Sequence, residues 1–131
     1  MVAEHDPFAD LIEPFSRRGV DLGLDRLQAA LAELGNPERR FAAVQVAGTN
    51  GKGSICTLVH QALLASGIHA GLYTSPHLVS WTERIRLGDT PIASPDLRRH
   101  LETATPIAQR HQLTPFELVT AAAFLAFAEA N

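Results

Sequence analysis

The chain has 131 residues, 46% hydrophobic and 19% charged, with a net charge of −3; this suits one packed domain and excludes a globally disordered chain. Its basic pairs, Arg17-Arg18, Arg39-Arg40 and Arg98-Arg99, lie far apart, so no concentrated basic face for nucleic acid is expected. A single cysteine, Cys56, excludes an intrachain disulfide and fits a reducing cytoplasm, while the acidic opening residues do not read as a signal peptide and no apolar run reaches the ~18 residues of a membrane span.

The first twenty residues have weak periodicity and read as a short helix and loop. Asp21 caps a predicted helix running to Leu34, with Leu24, Leu27, Leu31 and Leu34 on one face. Gly35-Asn36-Pro37 stops it. Residues 41–47 are apolar, rich in Val and bounded by a glycine-rich loop, which reads as a buried strand. Residues 48–53 form that loop. Residues 54–66 read as a helix, with Ile55, Leu58, Val59 and Leu63 at helical spacing and Gly67 as its stop. Residues 68–73 read as a second strand, so that the strand–loop–helix–strand unit is expected to be parallel and right-handed.

Residues 74–80, with Pro76, form a loop. Residues 83–87 and 90–92 read as a hairpin around Gly88-Asp89. Ser94, followed by Pro95, caps the next helix. Thr114, followed by Pro115 and then Glu117, has the pattern of a capping box at the start of a last helix. The most apolar stretch, residues 118–128, reads as its buried part.

The sharpest chemical signal is Gly48-Thr49-Asn50-Gly51-Lys52-Gly53-Ser54. Glycines let backbone N–H groups converge on phosphate oxygens, the following helix adds its positive dipole end, and Lys52 reaches the terminal phosphates. The match to G-x-x-x-x-G-K-[ST] is imperfect: Val46 takes the place of the first glycine, and Gly53 intervenes before Ser54. The bland alternative is a glycine-rich turn with a solvated lysine. The flanking strand and helix patterns favour the phosphate loop.

The variant loop resembles that of the Mur ligase superfamily, and its Gly53-Ser54 continuation resembles the folate branch, the folylpolyglutamate synthase/dihydrofolate synthase family. Tyr73-Thr74-Ser75-Pro76-His77-Leu78, followed by Glu83-Arg84-Ile85-Arg86, resembles that family's omega loop. Asp21-Leu22-Gly23-Leu24-Asp25-Arg26 is similar to a segment of its bacterial members that also make dihydrofolate, and Leu113-Thr114-Pro115-Phe116-Glu117 is similar to a fourth motif. The four occur in family order, although the stretch before Glu117 is shorter than in many members.

The resemblance implies an α/β fold: a P-loop-containing Mur-ligase-type central domain with an incomplete parallel sheet flanked by helices. Residues 1–131 would be the N-terminal part of the ATP-binding domain, with the C-terminal glutamate-ligase domain absent. It implies an ATP-dependent ligase that joins L-glutamate to dihydropteroate or reduced folates through an acyl phosphate, cytoplasmic and monomeric in its parent form. This chain by itself would be inactive. ATP would sit on Gly48, Thr49, Asn50, Gly51, Lys52, Gly53 and Ser54, with Lys52 as the catalytic cation. Mg2+ would be held by Ser75 and Glu117, and dihydropteroate or folate by Val20, Asp21, Leu22 and His77.

Each role has a plainer reading beside it. Ser75 fits a Ser-Pro turn, and Glu117 fits a capping-box partner with or without a metal. His77 either touches substrate or only shapes the loop. Arg84 and Arg86 alternate on a short strand, where they can meet a substrate carboxylate or, on the plainer reading, form a solvated strand face. The other histidines fit surface or packing positions, and Cys56 fits a packed thiol. Three alternatives stand beside the folate ligase: another Mur-type amide ligase, a non-catalytic nucleotide-binding fragment, and a generic P-loop NTPase.

Overall fold

The computed structural model describes residues 6–18 and 23–131. It is an α/β arrangement in which a buried helix carries the rest. In chain order it contains α1 (Ala9–Ile12), a 3-10 turn (Glu13–Arg18), α2 (Asp25–Glu33), a second 3-10 turn (Pro37–Arg39) and α3 (Lys52–Ala65). Strand β1 (Gly71–Tyr73), a 3-10 turn (Trp81–Arg84), β2 (Ile85–Leu87), β3 (Thr90–Pro91), α4 (Ser94–Arg110) and α5 (Pro115–Ala130) follow. No helix among the described residues is long and apolar enough to cross a membrane.

Helix α5 is central because its sequence lacks a polar face. Leu118, Val119, Ala121, Ala122, Ala123 and Ala126 are all buried, as expected for a helix that is apolar nearly all round. It starts where the capping-box pattern placed it: the Thr114 hydroxyl accepts from Glu117 N at 3.2 Å, and Glu117 Oε1 accepts from Thr114 N at 3.0 Å. Helix α4 lays Leu97, Leu101, Ala104 and Ala108 onto it. Phe8, Ile12, Phe15, Ile85, Ile92 and Leu113 close the same core.

The three-stranded sheet is antiparallel in the order β1-β2-β3, with Tyr73 opposite Ile85 and Leu72 opposite Arg86. The hairpin lies where the turn residues placed it, Gly88 taking a left-handed φ of 63°. Tyr73 and Gly71 face α5. The Tyr73 phenol is 2.8 Å from the Thr120 hydroxyl, and a Cβ built on Gly71 would lie 2.5 Å from the Phe127 ring.

Two expectations are corrected here. Residues 41–47 form no strand, and Val44 is 76% exposed. Only Phe41 anchors the start, its ring 5.9 Å from that of Phe124 and 5.6 Å from that of Phe127. A strand exists only through a ladder with a neighbour, and no described strand lies beside this segment. The second expected strand shrinks to residues 71–73 for the same reason: its partner is β2, antiparallel, so the parallel strand–helix–strand unit is not formed among the described residues.

The helix boundaries also shift slightly. The predicted Asp21 cap falls outside the described residues, and α2 begins at Asp25 after an exposed Leu24, while Leu27, Leu31 and Leu34 do face the core. Ser94 is the first residue of α4 rather than its cap; Ala93 precedes it and no side chain caps the helix.

Candidate functional site

The glycine-rich segment expected to hold phosphate, residues 48–54, folds into a turn that launches α3. Gly51 is the residue before the helix, with φ 76°, a left-handed conformation that glycine adopts without steric cost. The helix therefore starts at Lys52, two residues earlier than its periodicity indicates. Its first backbone bond runs from Ile55 N to Gly51 O at 3.0 Å, and no side chain caps the end. The N–H groups of Lys52, Gly53 and Ser54 thus form the open, positive end of a 14-residue helix. All seven residues from Gly48 to Ser54 are solvent-exposed.

Beyond that first turn, α3 is covered less than expected. Ile55 is 50% and Leu58 70% exposed. The face that is buried presents His60 instead, 2% exposed, whose Nε2 lies 2.7 Å from the Gly88 carbonyl. Cys56 is half-buried and its thiol is free.

The loop after β1 is held from within. Glu83 Oε1 accepts from Leu78 N at 3.0 Å, and Oε2 accepts from Val79 N at 2.8 Å and Ser80 N at 2.6 Å. These backbone donors keep the Glu83 carboxyl below the usual carboxylate range. Ser75 is exposed at the start of the loop. His77 is half-buried; burial first, and the Arg84 charge beside it, hold its imidazole below its ordinary value. Arg84, expected on a solvated strand face, instead lies against His77 and Trp81. Arg86 stays near the surface, with its Nη2 2.6 Å from the Asp89 carbonyl.

One cavity of about 460 Å³ brings the two regions to a common edge. It is lined by Thr57, three residues after Ser54, and by Thr74, next to Ser75, together with Gln61, Glu83 and Arg86. The glycine-rich turn, residues 48–54, does not line it and stays open at the surface.

Glu117 is placed differently. It is 4% exposed, and its Oε1 is shared between Thr114 N and Arg26 Nη2, the latter at 2.7 Å. The geometry favours the plainer of its two readings, a brace for the first turn of α5. Its cap Thr114 lines a second cavity, of about 340 Å³, with Arg18, Arg26 and Gln112. The stacked rings of Phe116 and Tyr73, 6.3 Å apart, still bring this turn beside the strand leading into Ser75. Val20, Asp21 and Leu22 lie outside the described residues.

The contacts of Arg26 with Glu117 and of Arg84 with Trp81 were not indicated by sequence. Arg26 stands inside the Asp21-to-Arg26 motif, but its partner is 91 residues away. No spacing rule connects the two.

No family model matches the chain. Among curated proteins it is 39% identical over 118 residues to a dihydrofolate synthase/folylpolyglutamate synthase of Bacillus subtilis, covering 85% of this chain and 27% of that protein. Among solved structures it is similar to folylpolyglutamate synthase of Thermotoga maritima, with a TM-score of 0.84 and 37% identity over 93% of this chain and 30% of that one. It is also similar to the bifunctional folylpolyglutamate synthase/dihydrofolate synthase of Yersinia pestis complexed with AMPPNP and Mn ion, with a TM-score of 0.80 and 31% identity over 87% of this chain and 28% of that one. The chain thus spans about a quarter of the length of the curated relative, matching it in sequence, and matching the solved structures in fold, over most of these 131 residues.

Proposed function

We propose, for a chain homologous to one section of the folylpolyglutamate/dihydrofolate synthases, that it supplies the ATP-binding loop of an ATP-dependent ligase joining L-glutamate to dihydropteroate or a reduced folate. The observation that carries this is the uncapped start of α3. A left-handed Gly51 delivers Lys52 and three free-standing N–H positions to one exposed helix end.

In this reading Thr49, Asn50 and Gly51 wrap the phosphates of ATP, and Gly48 and Gly53 keep the backbone close. Lys52 neutralises the charge spread over the transferring phosphoryl group. The carboxylate of the acid substrate attacks the γ-phosphorus. The bond to the ADP oxygen breaks, leaving an acyl phosphate. The amine of L-glutamate then attacks the acyl carbon, phosphate departs, and the amine proton passes to solvent. A poor leaving group, oxide, is thereby exchanged for a good one. His77 and residues 20–22 are the proposed contacts for the acid.

Hydroxyls of Ser54 and Ser75 are exposed hard-oxygen donors, and fit a magnesium ion whose other ligands are phosphate oxygens and waters. Glu117 fits less well, because Arg26 already occupies its Oε1. The ion, when bound, would neutralise phosphate charge. We place the parent ligase in the cytoplasm as a monomer.

For the 131 residues by themselves we propose nucleotide binding without turnover. The exposed apolar side chains of α3 and the quarter-length match favour this. Calorimetric titration with Mg-ATP tests the loop: saturable binding is expected, weakened at least tenfold, about 1.4 kcal/mol, by Lys52→Ala. Absence of binding by the unmodified chain would remove the nucleotide reading of these residues. Glutamate incorporation by the same chain would overturn the proposal that it does not turn over.

A further inference from the structure

Arg84 engages three side chains at once. Its Nε–H donates to His77 Nδ1 at 2.8 Å. Its guanidinium carbon lies 4.3 Å from the centroid of the Trp81 ring, within the range of a cation–π contact. The Tyr73 phenol lies beside it. The His77 ring in turn packs on the Trp81 ring, with centroids 4.4 Å apart. Among the described residues no carboxylate is paired with Arg84, so this cation is held by aromatic faces and by a ring nitrogen.

The direction of the hydrogen bond decides the state of His77. Arginine has only donors. His77 Nδ1 must therefore accept, and in a neutral imidazole the remaining proton then sits on Nε2. The Arg84 carbonyl also receives Thr74 N at 2.9 Å. The same residue thus ties the strand end before Ser75 to the ring two residues after it.

We propose that Arg84 is a positioning residue: it clamps His77, in the loop that begins at Ser75, as the neutral Nε2–H tautomer, so that the ring offers one hydrogen-bond donor of fixed direction to an acceptor atom of the acid substrate, a carboxylate oxygen or a ring nitrogen. The clamp uses both devices by which a second residue orients a ligand-contacting one: a hydrogen bond to the far ring nitrogen, and packing that stops ring rotation. The sequence places Arg84 on a strand. The fold ends the 3-10 turn there and swings its side chain back over Trp81. The substrate half of this proposal rests on the ligase reading given above, whereas the tautomer half does not.

Nitrogen-15 NMR of the labelled 131-residue chain tests it, because the two ring nitrogens report which one carries the proton. The unmodified chain is expected to show His77 as a single Nε2–H tautomer. Arg84→Met keeps an apolar stem over Trp81 and removes the donor. In it the two His77 resonances are expected to move toward the mixture shown by a solvated imidazole, with the other histidines unchanged. Arg84→Lys, whose ammonium lacks the Nε donor, is expected to restore that signature only in part. A purely packing role for Arg84 would alter amide dispersion without moving the tautomer ratio. A Nδ1–H ring in the unmodified chain, or an Arg84→Met chain with an intact amide spectrum and an unchanged ratio, overturns the proposal. If Arg84→Met does not fold, the Arg84→Lys comparison decides by the same criterion. No ligand is needed, so a failure here leaves the ligase reading standing, and a failure of Mg-ATP binding leaves the tautomer result standing.

Discussion

A single carboxylate, Glu117, shows how much one side chain does in this fold. Its Oε1 returns the capping bond to Thr114 N and also meets the Arg26 guanidinium at 2.7 Å, in a site where Glu117 is 4% exposed. Replacing it with Ala would remove half of the capping box and leave a largely covered arginine without this carboxylate. The expected cost is about 2–3 kcal/mol. Glu117→Gln keeps an acceptor for Thr114 N and loses only the charge, so about half of that loss is expected. Urea denaturation of the two variants checks the order, and equal losses would mean that the ion pair contributes everything. The capping box was readable from the spacing of Thr114 and Glu117. The Arg26 contact was not, because it depends on where α2 is laid against the start of α5.

At the level of elements, the loop between β1 and β2 depends on Glu83, whose oxygens accept from three consecutive backbone N–H groups, those of Leu78, Val79 and Ser80. Its carboxyl is held below the usual range by those bonds. A carboxyl depressed in the folded state contributes fully above its unfolded value of about 4.3, and the contribution disappears as pH falls through the lower, folded value. Protection of the amides of residues 78–80, measured against the intrinsic exchange rate at each pH, is therefore expected to fall as the solution is acidified below about pH 4. Glu83→Gln should abolish that dependence, and NMR exchange measurements read both outcomes. Helices and turns were largely legible because their signals are local: the capping box of α5, Gly88 in the hairpin, and the proline next to the first residue of α4. Residues 41–47 were misread because their β-branched, apolar composition describes a strand in search of a ladder, and the ladder is a property of the neighbours.

Across the whole molecule, burial is uneven. The layer of α4, α5 and the hairpin is closed, whereas Val44, Ile55, Leu58, Val59 and Ile68 stay exposed. An exposed apolar stretch of this kind favours self-association. Leu58 is 70% exposed, so Leu58→Lys is expected to leave stability within about 0.5 kcal/mol of the unmodified chain while reducing aggregation and dye binding. Thermal unfolding and light scattering measure the two effects, and a large loss of stability would show that Leu58 is packed in solution. What the sequence by itself determined is the local chemistry: a glycine-rich turn ending at Lys52, a capped and largely apolar α5, a proline-containing loop at Ser75, and motifs in the order of the folate ligases. These are carried by backbone preferences and by residues a few positions apart, which act before any tertiary contact forms. What only the tertiary structure decided is which of those residues meet. Arg26 reaches Glu117, Arg84 turns onto His77 and Trp81, β1 pairs antiparallel with β2, and the apolar side chains of α3 are left uncovered, because such contacts depend on how distant segments are packed together and no local pattern encodes that.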